Sequence, residues 1–243
     1  NKTSRQSSVS SNIGSKTLRR FGIKAVPDGW SLSTVGDSCV IRNELRLPLS
    51  AEQREKIAGS YPYYGPTGIL SWISEYRVEG EYALIGEDGD HFLDWRNKEQ
   101  TQKVSGKFNV NNHAHLVESG ETSTSDWFHY FFKHRDIYSS LTRQGAKRFK
   151  LTKSALASLP ILLPPLEEQR KIAGMLSVWD EAIEKLDTLR KTKLKQSSGL
   201  KQSCFESAYK TDHCLIRAKE ILAPVSERTR PDLPLLAVMQ DIG

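Results

Sequence analysis

Leu162-Leu163-Pro164-Pro165-Leu166-Glu167-Glu168-Gln169-Arg170-Lys171-Ile172-Ala173-Gly174-Met175-Leu176 divides this chain into two kinds of structure. The prolines stop the extended segment that precedes them. Pro165 suits the first helical position, where its missing N–H is not needed. Glu167 and Glu168 then fall in the first turn, where the helix dipole favours negative charge. From there the pattern reads as helix for roughly forty residues, far past the usual ~8–20 of a globular helix. Ile172, Leu176, Trp179, Ile183 and Leu186 recur at a 4-3-4-3 spacing, which is a heptad seam. Leu189, Leu194, Leu200 and Phe205 continue it less regularly, and charged residues between Glu181 and Lys193 fill the other face. A seam of this kind needs a partner helix. No second helix of matching length is legible, so the partner is expected outside these 243 residues.

The region before the prolines reads as β-rich. Residues 1–26 begin with a Ser-, Asn-, Lys- and Arg-rich stretch, expected to be a basic flexible tail. Pro27-Asp28-Gly29-Trp30 punctuates the chain before structure begins, and Cys39 to Asn43 is a short β-type segment. Ser50 with Gln53 forms a capping box for a short helix. Tyr61-Pro62-Tyr63-Tyr64-Gly65-Pro66-Thr67-Gly68-Ile69-Leu70 reads as a stiff aromatic loop, either closing over a core or offering tyrosines to a ligand. Glu81 to Gly86 is a strand candidate, and Glu87-Asp88-Gly89-Asp90 is an acidic turn whose carboxylates are expected to face solvent or cap backbone. Phe108 to Val117 alternates as one further strand. Trp127, Phe128, Tyr130, Phe131 and Phe132 at helical spacing read as core. Glu52 to Gly59 echoes Glu168 to Gly174 but lacks the Pro-Pro start and the heptads, so it reads as chance.

Net charge is +6 and the isoelectric point about 9.1, an excess that points toward a polyanionic partner. No apolar run reaches the ~20 residues of a membrane span. Three scattered cysteines, Cys39, Cys204 and Cys214, fit reduced thiols in a cytoplasmic protein. The catalytic inventory is empty. A phosphate-cradling Gly-rich loop, a Rossmann fingerprint and a nucleophile elbow are all absent. So is the Asn-Pro-Pro-aromatic element with which amino-methyltransferases hold a base. His113 and His115 would share a strand face, but no third and fourth metal ligands stand at a recognisable spacing. A metal-dependent nuclease built on Glu87, Asp88 and Asp90 is disfavoured for the same want of a coherent set.

Taken in order and spacing, these stretches resemble the specificity (S) subunit of type I restriction–modification systems. The resemblance rests on Pro27 to Trp30 with Gly36-Asp37, the Tyr61 to Ile69 run, Leu84 to Asp90, Phe108 to His115, and Pro160 to Ala173. It implies an α+β fold: a β-rich target recognition domain over residues 27–163, followed by a conserved coiled-coil-type spacer helix over 164–210. Residues 211–243 are similar to the start of a second, truncated recognition domain, or else form a C-terminal extension, so the chain is expected to be a fragment or a half-subunit able to form a homodimer. The family resemblance further implies a non-catalytic reader of one half of a split double-stranded DNA site. Methyltransferase (M) subunits and, through them, restriction (R) subunits would be its partners, and they would bring S-adenosylmethionine, ATP and Mg²⁺. This chain would bind no cofactor.

Candidate DNA contacts follow from side-chain chemistry. Lys103, Lys107, Lys147 and Arg148 are candidates for phosphate anchoring. Arg42, Asn43, Tyr63, Tyr64, Thr67, Asn111, Asn112 and His113 are candidates for base edges or nearby backbone. Ile172, Leu176, Trp179, Ile183 and Leu186 are the expected subunit interface. The competing reading is a non-catalytic protein-interaction module carried on a coiled coil.

Overall fold

The computed structural model describes residues 15–144 and 149–210. In chain order they form α1 (Ser15–Arg20), β1 (Ser31–Thr34), the single turn α2 (Val35–Ser38), β2 (Cys39–Ile41), α3 (Ala51–Lys56), β3 (Ala58–Gly65), β4 (Gly68–Ile73), β5 (Val78–Gly86), β6 (Thr101–Val110), β7 (Ala114–Ser119), α4 (Ser125–Phe132), β8 (Thr142–Arg143), β9 (Phe149–Lys150), α5 (Lys153–Ala157), β10 (Pro160–Leu163) and α6 (Leu166–Lys210). Two units divide the chain between Ile183 and Glu184. The second unit, over its described residues 184–210, is helix alone, and every side chain described in it is exposed.

The first unit is organised around β5, the strand between β7 and β6 in a six-stranded sheet of order β2-β7-β5-β6-β3-β4. Its residues alternate strictly. Ala83 and Ile85 join the larger core with Val117 and the α4 aromatics Phe128 and Phe132. Tyr82 and Leu84 point to the second core with Val104, Phe108 and Leu116. A strand buried on both faces has to carry apolar residues at every position, which is why Tyr82 to Ile85 reads as an unbroken apolar run. Gly80 and Gly106 face each other across the β5–β6 pair, with φ of 136° and 82°. This backbone is open to glycine alone at little cost. It sharpens the coil of the pair: β6 meets β3 both through Gln102, whose Nε2 donates to the Gly65 carbonyl at 2.8 Å, and through the Tyr63–Asn109 pairing at its far end. The second core fills the space inside that coil.

The capping box is present in full: Ser50 Oγ accepts from Gln53 N–H, and Gln53 Oε1 accepts from Ser50 N–H. Thr124 caps α4 and Thr152 caps α5 through the hydroxyl bond alone, accepting from Trp127 N–H and Ala155 N–H. Several sequence expectations need correction. Residues 15–23 are not a flexible tail: α1 leads into Phe21 and Ile23, both buried in the larger core, because these apolar residues find a docking surface that composition does not show. Tyr61 to Leu70 is not a loop but a hairpin, β3 turning into β4. Phe108 to Val117 is two strands, with Asn111 to His113 turning between them. Helix α6 starts at Leu166, and Pro165 supplies a carbonyl that accepts from Gln169 N–H rather than serving as the first helical residue.

Helix α6 is fastened by one fully buried amide. Gln169 Oε1 accepts from Thr124 N–H at 3.0 Å, and its Nε2 donates to the carbonyls of Thr122 at 2.8 Å and Pro164 at 2.9 Å. Further along the same face, Ala173 is buried, Ile172 packs on the larger core, and Asp180 pairs with Lys133 at 2.7 Å. β1 pairs antiparallel with β10 just before the helix, and Trp127 Nε1 donates to the Leu162 carbonyl at 2.8 Å. The two ends of the body are thus joined where the helix begins.

Removing the Gln169 amide leaves three backbone groups without their partner, the buried Pro164 carbonyl and the part-buried Thr124 N–H and Thr122 carbonyl, and an unpaired buried group costs about 1–3 kcal/mol. Gln169→Ala is therefore expected to destabilise the chain by roughly 3 kcal/mol or more in urea unfolding. Gln53→Ala, in the sequence echo, removes only an exposed cap and should cost about 1 kcal/mol or less. Equal losses for the two variants would contradict this account. Acid gives a second test. Burial pushes His91 and His129 down to about 4 from an ordinary value of 6.5, so both are neutral in the fold and take up protons on unfolding. Their stabilisation is complete above pH ~6.5 and is lost as pH falls toward ~4, by on the order of 3 kcal/mol for each histidine. Urea midpoints should drop across that window, and His129→Gln should flatten the drop.

Candidate nucleic-acid interface

Three loops meet at one end of the coiled sheet: the β3–β4 hairpin tip, the Asn111–His113 turn and the acidic turn after β5. The Asn111 N–H donates to the Tyr64 carbonyl at 3.0 Å, joining the first two. A side chain at Gly86 would strike the His91 ring and meet Pro66 at 3.4 Å, so the third loop is packed equally close. Of the acidic turn, Asp90 faces solvent as expected, but Glu87 does not. Glu87 is 9% exposed and sits between Lys150, whose Nζ is 2.9 Å from Oε1, and Arg46, whose Nη1 bonds Oε2. Burial alone would raise the Glu87 pKa, but the bonds to Lys150 and Arg46 outweigh it and hold the carboxyl below its usual range. Arg46 also donates to the Asn112 carbonyl at 3.1 Å, so the ion cluster grips the turn from below.

His115 completes this frame. Its Nε2 lies 2.7 Å from the Leu151 carbonyl, an acceptor only, so Nε2 carries the proton. Its Nδ1 is 2.8 Å from the Asn43 amide Nδ2, a donor only, so Nδ1 is bare and the ring is neutral. Burial lowers its pKa in agreement, outweighing the Leu151 carbonyl and Glu87. A side chain so occupied serves as structure. His113, in contrast, lies in the turn with Nδ1 2.8 Å from Asp88 Oδ2, and the two imidazoles do not share a strand face. Among the described residues, no group of three or more His, Cys, Asp or Glu is placed to hold a metal ion.

The candidate residues separate accordingly. Thr67, Asn112 and His113 are exposed on neighbouring loops. The side chains of Thr67 and Asn112 make no hydrogen bond among the described residues, which leaves their donors and acceptors available. Tyr64 stands half-buried behind them, its ring edge-on to Phe108 at 5.9 Å. Asn111 is buried and uses Oδ1 to accept from His113 N–H, shaping the turn. Tyr63 is fully buried, its hydroxyl donating to the Leu47 carbonyl at 2.6 Å, so it has no surface to offer DNA: strand alternation points it inward. Asn43 is committed to His115. Arg42 is committed to Glu118 at 2.6 Å, with Glu44 at 3.6 Å.

Of the phosphate candidates, Lys103 pairs with Asp126 at 2.8 Å and Lys107 lies 4.6 Å over the Tyr76 ring. Lys147 and Arg148 lie outside the described residues, in the segment that joins β8 to β9. Along α6, Leu176 is 40% exposed, Trp179 68%, Ile183 56% and Leu186 65%. Ile172 departs from the expected seam because it packs on the body. Sequence reading missed Arg46, Glu87 and Lys150 as a unit. They are separated by tens of residues and only the sheet joins them. The one available signal was the isolated acidic pair, Glu87-Asp88, following an apolar strand.

Comparison with known proteins bears directly on this arrangement. S.HindORF215P of Haemophilus influenzae, assigned as a type I restriction enzyme specificity subunit, is 35% identical over 136 residues, which cover 56% of this chain and 34% of that protein. The EcoprrI specificity subunit of Escherichia coli is 27% identical over 154 residues, 63% of this chain and 34% of that protein. The chain thus spans about a third of the length of these relatives. Two solved structures share the fold. One, described as the basis of complex assembly and conformational transition of the type I R-M system, superposes with a TM-score of 0.56 at 17% identity, covering 87% of this chain and 54% of that one. The other, a type I restriction-modification S subunit from M. genitalium, gives 0.53 at 17% identity, covering 68% and 42%. The family model of the type I restriction modification DNA specificity domain matches residues 27–196, and the chain belongs to that family.

Proposed function

We propose that this chain reads one half of a bipartite double-stranded DNA site for a type I restriction–modification complex, with Thr67, Asn112 and His113 as its reading edge. The observation that carries this is the contrast at the end of the sheet: exposed, unpaired side chains of Thr67 and Asn112 stand on two joined loops, of which the Asn112 turn is held by the half-buried Arg46–Glu87–Lys150 cluster. A reader needs free donors and acceptors on a fixed support. An Asn amide matches adenine with two hydrogen bonds, and a hydroxyl can meet either kind of base. Lys107, Lys147 and Arg148 are proposed to steady the duplex through its phosphates, as the net charge of +6 favours. Arg42, Asn43, Tyr63 and Asn111 support the surface and do not read it.

In this reading residues 27–163 are the recognition domain and 164–210 the spacer helix. The proposed second recognition domain over 211–243 lies outside the described residues. Leu176, Trp179, Ile183 and Leu186 would meet a helix of another domain or subunit, because four large apolar side chains at heptad spacing are left in water. Methylation and cleavage, with S-adenosylmethionine, ATP and Mg²⁺, would belong to the M and R subunits.

Two variants test the two halves of the proposal in the complete complex. Asn112→Ala should weaken target binding by about 1–3 kcal/mol and abolish or relax methylation of the target, with M-subunit co-purification unchanged. Methylation at the same sites and rate would remove Asn112 from the reading edge. Ile183→Asp with Leu186→Asp should break assembly while the body unfolds at an unchanged urea midpoint. Intact co-purification of both variants would favour another surface for the partner.

A further inference from the structure

A cavity of about 670 Å³ lies between α1, the C-terminal end of α4 and the first turns of α6, and it shares no residue with the reading edge. Its charge is unbalanced in a specific way. Lys133 lines it but is already neutralised, 2.7 Å from Asp180 and 3.1 Å from Glu99. Arg135 is not: its Nε donates to the Phe131 carbonyl at 2.9 Å and its Nη1 to the Phe21 carbonyl at 2.7 Å, with no carboxylate partner among the described residues. The guanidinium lies flat, 3.8 Å from the Phe131 ring centre, and burial lowers its pKa with nothing opposing. These contacts fix its plane and leave Nη2 without a bond among the described residues. Arg19 and Arg20 face the same cavity from α1, and neither forms an ion pair among the described residues.

Two carboxylates also line the cavity, but Asp180 is spent on Lys133 and Asp136 accepts from the Tyr138 N–H, so three guanidinium groups leave the lining with a net positive charge that suits an oxyanion, which a guanidinium binds through paired N–H donors. The remaining walls include Trp95, Tyr130 and Phe131, and the volume far exceeds that of a bare phosphate. Aromatic walls of this kind accept a planar ring, and cavities of about 300–1,000 Å³ suit ligands of nucleotide size. We propose that this cavity binds a phosphate-bearing nucleotide, with Arg19, Arg20 and Arg135 on the phosphate and the aromatic wall against the base. The nucleotide is either free or part of a DNA strand, and the chemistry of recognition is the same.

The test uses the full chain and a double variant, Arg19→Gln with Arg20→Gln. Both side chains are exposed and unpaired, so the fold should be untouched. Calorimetric titration with ADP and anisotropy of a labelled duplex over a salt series give the two arms. ADP binding that weakens at least tenfold in the variant, with duplex binding unchanged, supports a free nucleotide. No ADP binding, but a salt slope for the duplex reduced by about 1–2 in the variant, supports a strand phosphate. Arg135→Gln should reproduce whichever loss is seen. The proposal is overturned if ADP is silent and the salt slope is unchanged, or if only poly-glutamate binds in an arginine-dependent way, which would make the cavity a seat for an acidic protein segment.

Discussion

The buried amide of Gln169 is the contact on which the rest of the first unit depends. An amide both accepts and donates, and here one side chain satisfies a backbone N–H at the cap of α4 and two carbonyls of the chain leading to it and to α6. Fixing one residue of a helix fixes the phase of its neighbours, at 3.6 residues per turn. With Gln169 turned inward, Ala173 and Asp180 follow it onto the body. Leu176 shares that phase but lines the cavity beside α4 and stays 40% exposed, while Trp179 and Ile183 are 68% and 56% exposed. The helix therefore docks largely by a polar and small face and keeps its large apolar residues unspent. That is the inverse of an ordinary amphipathic surface helix, which turns its apolar stripe to the core.

The same logic governs the end of the sheet. Loops that present side chains to a partner cannot rely on those side chains for their own stability. Here the backbone is held from beneath by Arg46, Glu87 and Lys150, and by a neutral His115 whose two nitrogens are both used. A buried carboxylate flanked by two cations offsets its desolvation cost, whereas one alone would not. The support is laid by strands β5 and β7, whose register is fixed by burial on both faces, with β6 paired alongside β5. Side chains at the tips, such as Thr67 and Asn112, can then change without altering the frame.

Membership of the specificity family gives these two features a common sense. On the proposed function, a body with a rigid tip and a helix with an apolar seam would be a reader and a spacer in one chain. The cavity at their junction adds a third surface of different chemistry, cationic and aromatic, formed where α1, α4 and α6 come together.

Local chemistry made much of this legible. The Pro-Pro stop, the acidic first turn and the heptad spacing determined a long helix, because helix signals act within a few residues of one another. The Ser50–Gln53 box and the aromatic core helix were legible for the same reason. The echo of Glu-Gln-Arg was not: Gln53 is an exposed cap and Gln169 a buried anchor, and the difference lies in what surrounds them. Tyr63 and Tyr64 are adjacent in sequence, yet strand alternation buries one fully and leaves the other partly open. Arg42 looks as free as Asn112 until β7 brings Glu118 to it. The sequence by itself determined the long helix, the capped short helices and the α+β plan, since propensity, capping and periodicity are short-range. Only the tertiary structure decided which polar groups are consumed as support and which remain free to bind, because that depends on partners brought together across up to 132 residues of chain.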